Sequence, residues 1–185
     1  MTTAAPDMEA EYNNRARVPG HPAVIESWAR DAAAWRQARA ECRLDIPYGP
    51  HPRQRYDFFP GGVASRCVVF IHGGYWQALD KSFFSHMAAG ANAHGFDVAI
   101  PSYRLCPEVS LADIVDDMTA FCAALGAAGH RHIVASGHSA GGHLSACLLS
   151  KGRIGSPHRG RPVDLGAVRP RPPRRHHDQR PLAAH

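Results

Sequence analysis

The segment Gly137-His138-Ser139-Ala140-Gly141 has the pattern G-x-S-x-G. Before it stands a short apolar run, HIVAS (132–136), and after it a small-residue stretch, AGGHLSACLLS. A strand that turns sharply into a helix at a serine holds that side chain out above the sheet, where its Oγ can attack a carbonyl. Gly137 and Gly141 fit such a turn, because side chains there would run into neighbouring backbone. An ordinary tight turn is the competing explanation, and the flanking strand and helix favour the nucleophile, Ser139. A second signal, His72-Gly73-Gly74-Tyr75-Trp76, follows the apolar run CVVFI (67–71). Glycines after a strand leave backbone N–H groups open to an oxygen that gains negative charge in acyl transfer. The amides of Gly73 and Gly74 are the candidate donors. The Ala140 amide, at a helix N-terminus, converges on them with help from the helix dipole. His72, Gly137 and Gly141 support the two motifs. Tyr75 and Trp76 either stack on an aromatic substrate beside this hole or pack the core.

A serine needs a histidine to take its proton and a carboxylate to orient that histidine. His143 lies one helical turn beyond Ser139 and reads as a packing residue or one that supports the site from behind rather than as the base, since no acid neighbours it. Residues 152–185 supply Asp164 and Asp178, and His158, His176, His177 and His185. None follows a recognisable strand, so none is assigned to a triad.

The elements that must position these groups read as α/β. A helical stripe (Val24, Ile25, Trp28, Ala32, Trp35) runs from Pro22 to about Ala40. Strand-like pieces near 41–48 and 54–59 flank the turn-forming YGPHP. Buried strands are expected at 67–71, 96–101 and 132–136, with helices at 82–94, from Ser110 to the glycines 126 and 129, and at 140–150. Ser110 and Asp113 form a capping-box pattern. Strand and helix alternate from 67 to 150, which predicts a parallel sheet with helices on both faces.

HGGYW (72–76), YRLCPEVSL (103–111), GHSAGGHL (137–144) and YNNR (12–15) together resemble the α/β-hydrolases of the arylformamidase (kynurenine formamidase) group. The resemblance covers roughly residues 10–150 and implies the amino-terminal part of an α/β-hydrolase fold. It also implies hydrolysis of N-formyl aryl amides or related esters through Ser139, with no metal or organic cofactor. Carboxylesterases and deacetylases with HGG and GxSxG are related branches, so the substrate stays open. A non-catalytic remnant or binding module is the competing class.

Composition narrows the partners. Of the 185 residues, 1–151 hold 13 Lys and Arg against 14 Asp and Glu, whereas 152–185 hold eight Arg against two Asp. The net charge of +5 therefore belongs to the tail, and a small-molecule substrate is expected rather than a specific nucleic acid or a membrane. A homo-oligomer is compatible with the sequence. Five scattered cysteines without a CxxC, and no apolar leader, point to a cytoplasmic protein with free thiols. Two segments are expected: a partial hydrolase domain, 1–151, and a tail, 152–185. The tail has six Pro and no Phe, Trp, Tyr or Met. With arginine outnumbering lysine 19 to 2, it reads as an out-of-frame product of a G+C-rich gene, a native Arg/Pro-rich tail being the rival.

Overall fold

Cys67 to Ile71 is apolar without interruption, and the strand that contains it, β3 (Val63–Ile71), sits inside the sheet with both faces covered. The structure, a computed structural model, describes residues 7, 11–13 and 16–150, together with the backbone of 164–166. The other strands are β1 (Arg43–Pro47), β2 (Arg55–Phe59), β4 (Phe96–Pro101), β5 (His132–Gly137) and β6 (Asp164–Gly166). Their order is β1-β2-β4-β3-β5-β6.

Strands β4, β3, β5 and β6 are parallel, as the alternation of strand and helix predicts. Outside the stretch 67–150 on which that prediction rests, β1 and β2 extend the sheet antiparallel. YGPHP is too short for the crossover that parallel neighbours need, so it can only fold β2 back on β1.

Alternate residues of the strands serve opposite faces, as the two-residue period of a strand requires. Cys67, Val69 and Ile71 pack with Ala99 and Ile133 against α3 (Leu111–Ala127) and α4 (Ala140–Ser150). Phe70, Val98 and Ile100 face the other way, toward Phe84, Ala88 and the Trp28 and Trp35 rings of α1 (His21–Gln37). On α3, Ile114, Met118, Phe121, Cys122 and Leu125 are completely buried at helical spacing. Each large one contributes about 2 kcal/mol. The capping box forms as expected: Ser110 Oγ accepts from the Asp113 amide at 3.2 Å, and Asp113 Oδ2 accepts from the Ser110 amide at 2.9 Å.

Some elements differ from the sequence reading, β3 among them, which begins at Val63 rather than Cys67. The helix expected at 82–94 is two 3₁₀ turns, Lys81–Phe83 and Ser85–Met87, followed by α2 (Ala88–Ala93). Phe84, drawn into the sheet face with φ −127°, breaks the α-helical path, and Arg36 ties the Ser82 carbonyl and Ser85 Oγ at 2.6 and 2.7 Å. Helix α3 runs through Gly126, and only Gly129, at φ +101°, lies beyond its end. Most of the tail expectation, whether disorder or a lost reading frame, lies outside the described residues. The exception is β6, which pairs with β5 where no strand is legible in the sequence.

Candidate active site

Two loops leave the carboxyl edge of the sheet side by side. In the β3–β5 register, Ile71 stands opposite Gly137, so His72-Gly73-Gly74 and His138-Ser139 emerge from neighbouring strands. This is the edge at which ligands bind in open α/β sheets.

Ser139 is exposed and holds φ +53°, a left-handed backbone that costs a non-glycine residue about 1–2 kcal/mol. The glycines around it answer to crowding rather than to flexibility. A Cβ on Gly137 would strike the Gly141 backbone, and one on Gly141 would strike the Ile71 and His72 carbonyls. Helix α4 begins at the next residue, Ala140, which is buried. The Gly141 amide donates to the His138 carbonyl at 2.9 Å, and the His143 amide to the Ser139 carbonyl at 3.1 Å. The Ala140 amide donates to no group among the described residues, as expected for the first amide of a helix.

On the other loop, a Cβ on Gly73 would stand 3.3 Å from Ser139 Cβ and 2.9 Å from the His138 carbonyl oxygen. Glycine is required for the backbone to come this close to the serine. His72 is completely buried between the rings of Tyr103 (4.3 Å, 9°) and Phe84 (5.9 Å, 5°). Burial drives its pKa down to about 4, so the ring is neutral at pH 7, although the Gly73 carbonyl 2.7 Å from Nδ1 acts in the opposite sense. A carbonyl only accepts, so Nδ1 carries the proton. In a trans peptide the C=O and N–H point opposite ways. Turning the Gly73 carbonyl toward His72 therefore turns the Gly74 N–H away from it. Tyr103 OH donates to the His72 carbonyl at 2.9 Å and braces the same turn.

Gly74, Tyr75 and Trp76 all have positive φ, +115°, +56° and +57°, and the Gly74 carbonyl accepts from the Gln77 and Ala78 amides at 3.0 Å each. Among the described non-glycine residues, the left-handed ones are Asp45, Tyr75, Trp76, Leu79 and Ser139. Four of these five lie in the two loops of the site. Backbone strain of this kind concentrates where geometry serves function. It has no signature in residue type, so the sequence reading did not find it.

The open alternative for the aromatic pair splits. Tyr75 is 55% exposed and lines a cavity of about 780 Å³ that also opens on Ser139 and His138. Trp76 packs against the core, sits edge-on to the His143 ring at 5.3 Å, and accepts from the Cys106 amide through its carbonyl at 2.8 Å. His143 is exposed, with its Nε2 3.6 Å from Cys147 Sγ.

No described residue hydrogen-bonds Ser139 Oγ. Asp164 pairs with His132 at the amino end of the parallel strands, the edge opposite Ser139. The other tail candidates, Asp178, His158, His176, His177 and His185, lie outside the described residues. Among the described residues, no cluster of three or more His, Cys, Asp or Glu side chains is placed to hold a metal ion.

Sequence reasoning read α1 as an apolar stripe and gave it no part in the site, yet Val24, Ile25 and Trp28 line the cavity, with the Trp28 ring 6.2 Å from His138. The signal was Val24, an extra apolar residue that widens the stripe beyond what one face of the sheet needs.

Residues 60–153 match the BD-FAE family model. The chain is 36% identical over 90 residues to the kynurenine formamidase of Drosophila melanogaster, covering 46% of this chain and 30% of that protein. It is 30% identical over 117 residues to that of Salmo salar (60% and 40%). It is 30% identical over 118 residues to the isoprenylcysteine α-carbonyl methylesterase of Arabidopsis thaliana (59% and 28%). A solved "putative thioesterase" from Silicibacter sp. superposes with TM-score 0.73 at 39% identity, covering 78% of this chain and 56% of that one. An esterase from the archaeon Pyrobaculum calidifontis, at 22% identity and TM-score 0.53, shares the fold. The chain thus spans about a third of the length of the curated relatives it matches. With a family model that covers half of its residues, and esterase folds laid over its sheet, the chain belongs to the BD-FAE family and has the α/β-hydrolase fold.

Proposed function

We propose that the chain carries the nucleophile and the oxyanion-binding amides of a serine hydrolase of arylformamidase type. Ser139 Oγ attacks the carbonyl carbon of an N-formyl aryl amide or small ester. The Gly73, Gly74 and Ala140 amides hold the tetrahedral oxygen as it becomes negative. The serine proton passes to a base from solution, collapse expels the amine or alcohol with a proton returned to it and leaves an acyl-serine, and water releases formate or another acid and restores the hydroxyl. One such donor is worth roughly 3 kcal/mol in the transition state. The observation that carries this reading is the left-handed Ser139 held against Gly73 at the carboxyl ends of adjacent parallel strands. The relatives named kynurenine formamidase support the formamide substrate. The methylesterase relative supports a carboxylesterase as the second reading. Neither reading calls for a cofactor, and the five free thiols accord with a cytoplasmic location. No described helix is long and apolar enough to cross a membrane.

Since no described histidine reaches Ser139, turnover by this chain alone is expected to be low. Losing the base costs a triad hydrolase on the order of 10⁶-fold. The test is hydrolysis of formanilide and 4-nitrophenyl acetate by the purified chain, with imidazole added as a base from solution. A slow rate is expected that rises with imidazole and disappears in Ser139→Ala, after subtraction of imidazole's own reaction. Equal rates for the wild type and Ser139→Ala would overturn the proposal.

A further inference from the structure

The turn from His72 to Leu79 carries the Gly73 and Gly74 amides, and its backbone is strained. Gly74, Tyr75, Trp76 and Leu79 all hold positive φ, from +56° to +115°. Backbone of this kind persists only where its surroundings hold it in place. Inside the turn, the Gly74 carbonyl accepts from the Gln77 and Ala78 amides at 3.0 Å each. From outside, one side chain serves both ends. Arg53 stands half-buried in the turn between β1 and β2. Its Nη2 donates to the Leu79 carbonyl at 2.6 Å, and its Nε to the Tyr103 carbonyl at 2.7 Å. Tyr103 is stacked on His72 and donates through its hydroxyl to the His72 carbonyl. His72 opens the turn and Leu79 closes it, so a single guanidinium ties the two ends together. Nε and Nη2 share one edge of a rigid plane, and charged donors of this kind bond more strongly than neutral ones. The clamp also has a fixed base. The Arg53 amide donates to His51 Nδ1 at 3.1 Å, and the neighbouring Gln54 side chain donates to buried Asp117 at 2.8 Å. Arg53 does not line the cavity at Ser139.

We propose that Arg53 is a positioning residue for the reaction at Ser139, holding the Gly73 and Gly74 amides in place without touching the substrate. The proposal rests on the reading of those amides as the oxyanion hole.

Two measurements on the full chain test it, one without chemistry and one with it. Hydrogen exchange read by NMR follows the Gln77 and Ala78 amides, whose bonds close the turn. Arg53→Met should speed their exchange by about tenfold and leave Val69 and Ile71 in β3 protected. The second measurement compares 4-nitrophenyl acetate with its thiono analogue, in which sulfur, a weaker acceptor, replaces the carbonyl oxygen. With imidazole present, the Ser139-dependent kcat/KM for the oxygen ester should fall about tenfold in Arg53→Met, and that for the thiono ester far less. A loss of folded protein scales both rates alike and leaves their ratio unchanged. Arg53→Lys keeps the charge but lacks the planar fork, so it should show the same changes to a lesser degree. It takes the place of Arg53→Met if that variant does not fold. Unchanged exchange at Gln77 and Ala78, or an unchanged oxygen-to-sulfur ratio beside a Ser139-dependent rate, would overturn the proposal. Absence of any Ser139-dependent rate in the wild type marks failure of the site reading instead, and the exchange result then decides the clamp alone.

Discussion

Ser139 combines the hydroxyl proposed as nucleophile with a backbone conformation that its own Cβ disfavours. The sheet and helix around the turn hold that conformation, and stability is lost at this residue for the sake of its direction. Ser139→Gly should therefore be more stable than Ser139→Ala by about 1 kcal/mol, because alanine keeps the left-handed penalty that glycine escapes. Urea denaturation of the two variants checks this. His72 makes a second prediction at this scale. Its folded pKa of about 4 lies below the ordinary value of 6.5, so the unfolded chain binds its proton first as pH falls. Its contribution to stability is complete above about pH 6.5 and is lost as pH falls toward 4, by roughly 3 kcal/mol in all. Burial also lowers His130 and His86, and both add to the slope in the same sense. His72→Phe should be less stable at pH 7 and should lose its share of the slope in denaturation midpoints between pH 7 and pH 4.5.

The loop after HGGYW is fastened to the β1–β2 hairpin by one buried cation. Lys81 Nζ lies 2.7 Å from both Asp45 and Asp57, and Asp57 is only 1% exposed. Burial works against the ammonium, but the hydrogen bonds to the two carboxylates outweigh it and leave the Lys81 pKa above its ordinary value. Asp57 also accepts from the Asp45 amide at 2.9 Å, where β1 shifts register and Asp45 turns left-handed. Lys81→Met would leave Asp57 buried without its cation, at a cost of about 3–5 kcal/mol. Lys81→Met with Asp57→Asn should recover part of that loss, read from the same denaturation curves. A parallel bracket, Asp117 with Arg104 at 2.6 Å and Gln54 at 2.8 Å, fixes the segment after β4 that carries Tyr103 under His72.

Across the whole molecule, stability should be graded from the centre of the sheet outward. β3 lies between two parallel partners and has core on both faces, so the amides of Val69, Ile71 and Ile133 should exchange only on global opening. Those of β1, at the edge and mostly exposed, should exchange first. Hydrogen-exchange mass spectrometry resolves the order, and equal protection of β1 and β3 would contradict it. The same gradient describes what was legible in the sequence. Continuous apolar runs announced β3, β4 and β5, and the glycine patterns announced both loops of the site, because burial and close approach dictate residue type. The 3₁₀ path at 81–87 was hidden, since it follows from where Phe84 packs rather than from any local preference. β6 was hidden too, because no apolar run marks 164–166. The role of α1 in the cavity was masked by residues that serve a core equally well.

Opposite placement of Ile71 and Gly137 makes the sheet a caliper for the site. The strands that carry the two loops lie one strand spacing apart, about 4.8 Å, a dimension set by peptide hydrogen bonds and not by side chains. Sequence drift elsewhere on the surface cannot open or close that interval while β3 and β5 stay paired. What such drift can change is the wall around the gap. If the proposed site is the active one, a scaffold of this kind would let the cavity lining on its amino-terminal helix change while the strands beneath the two loops keep a constant gauge.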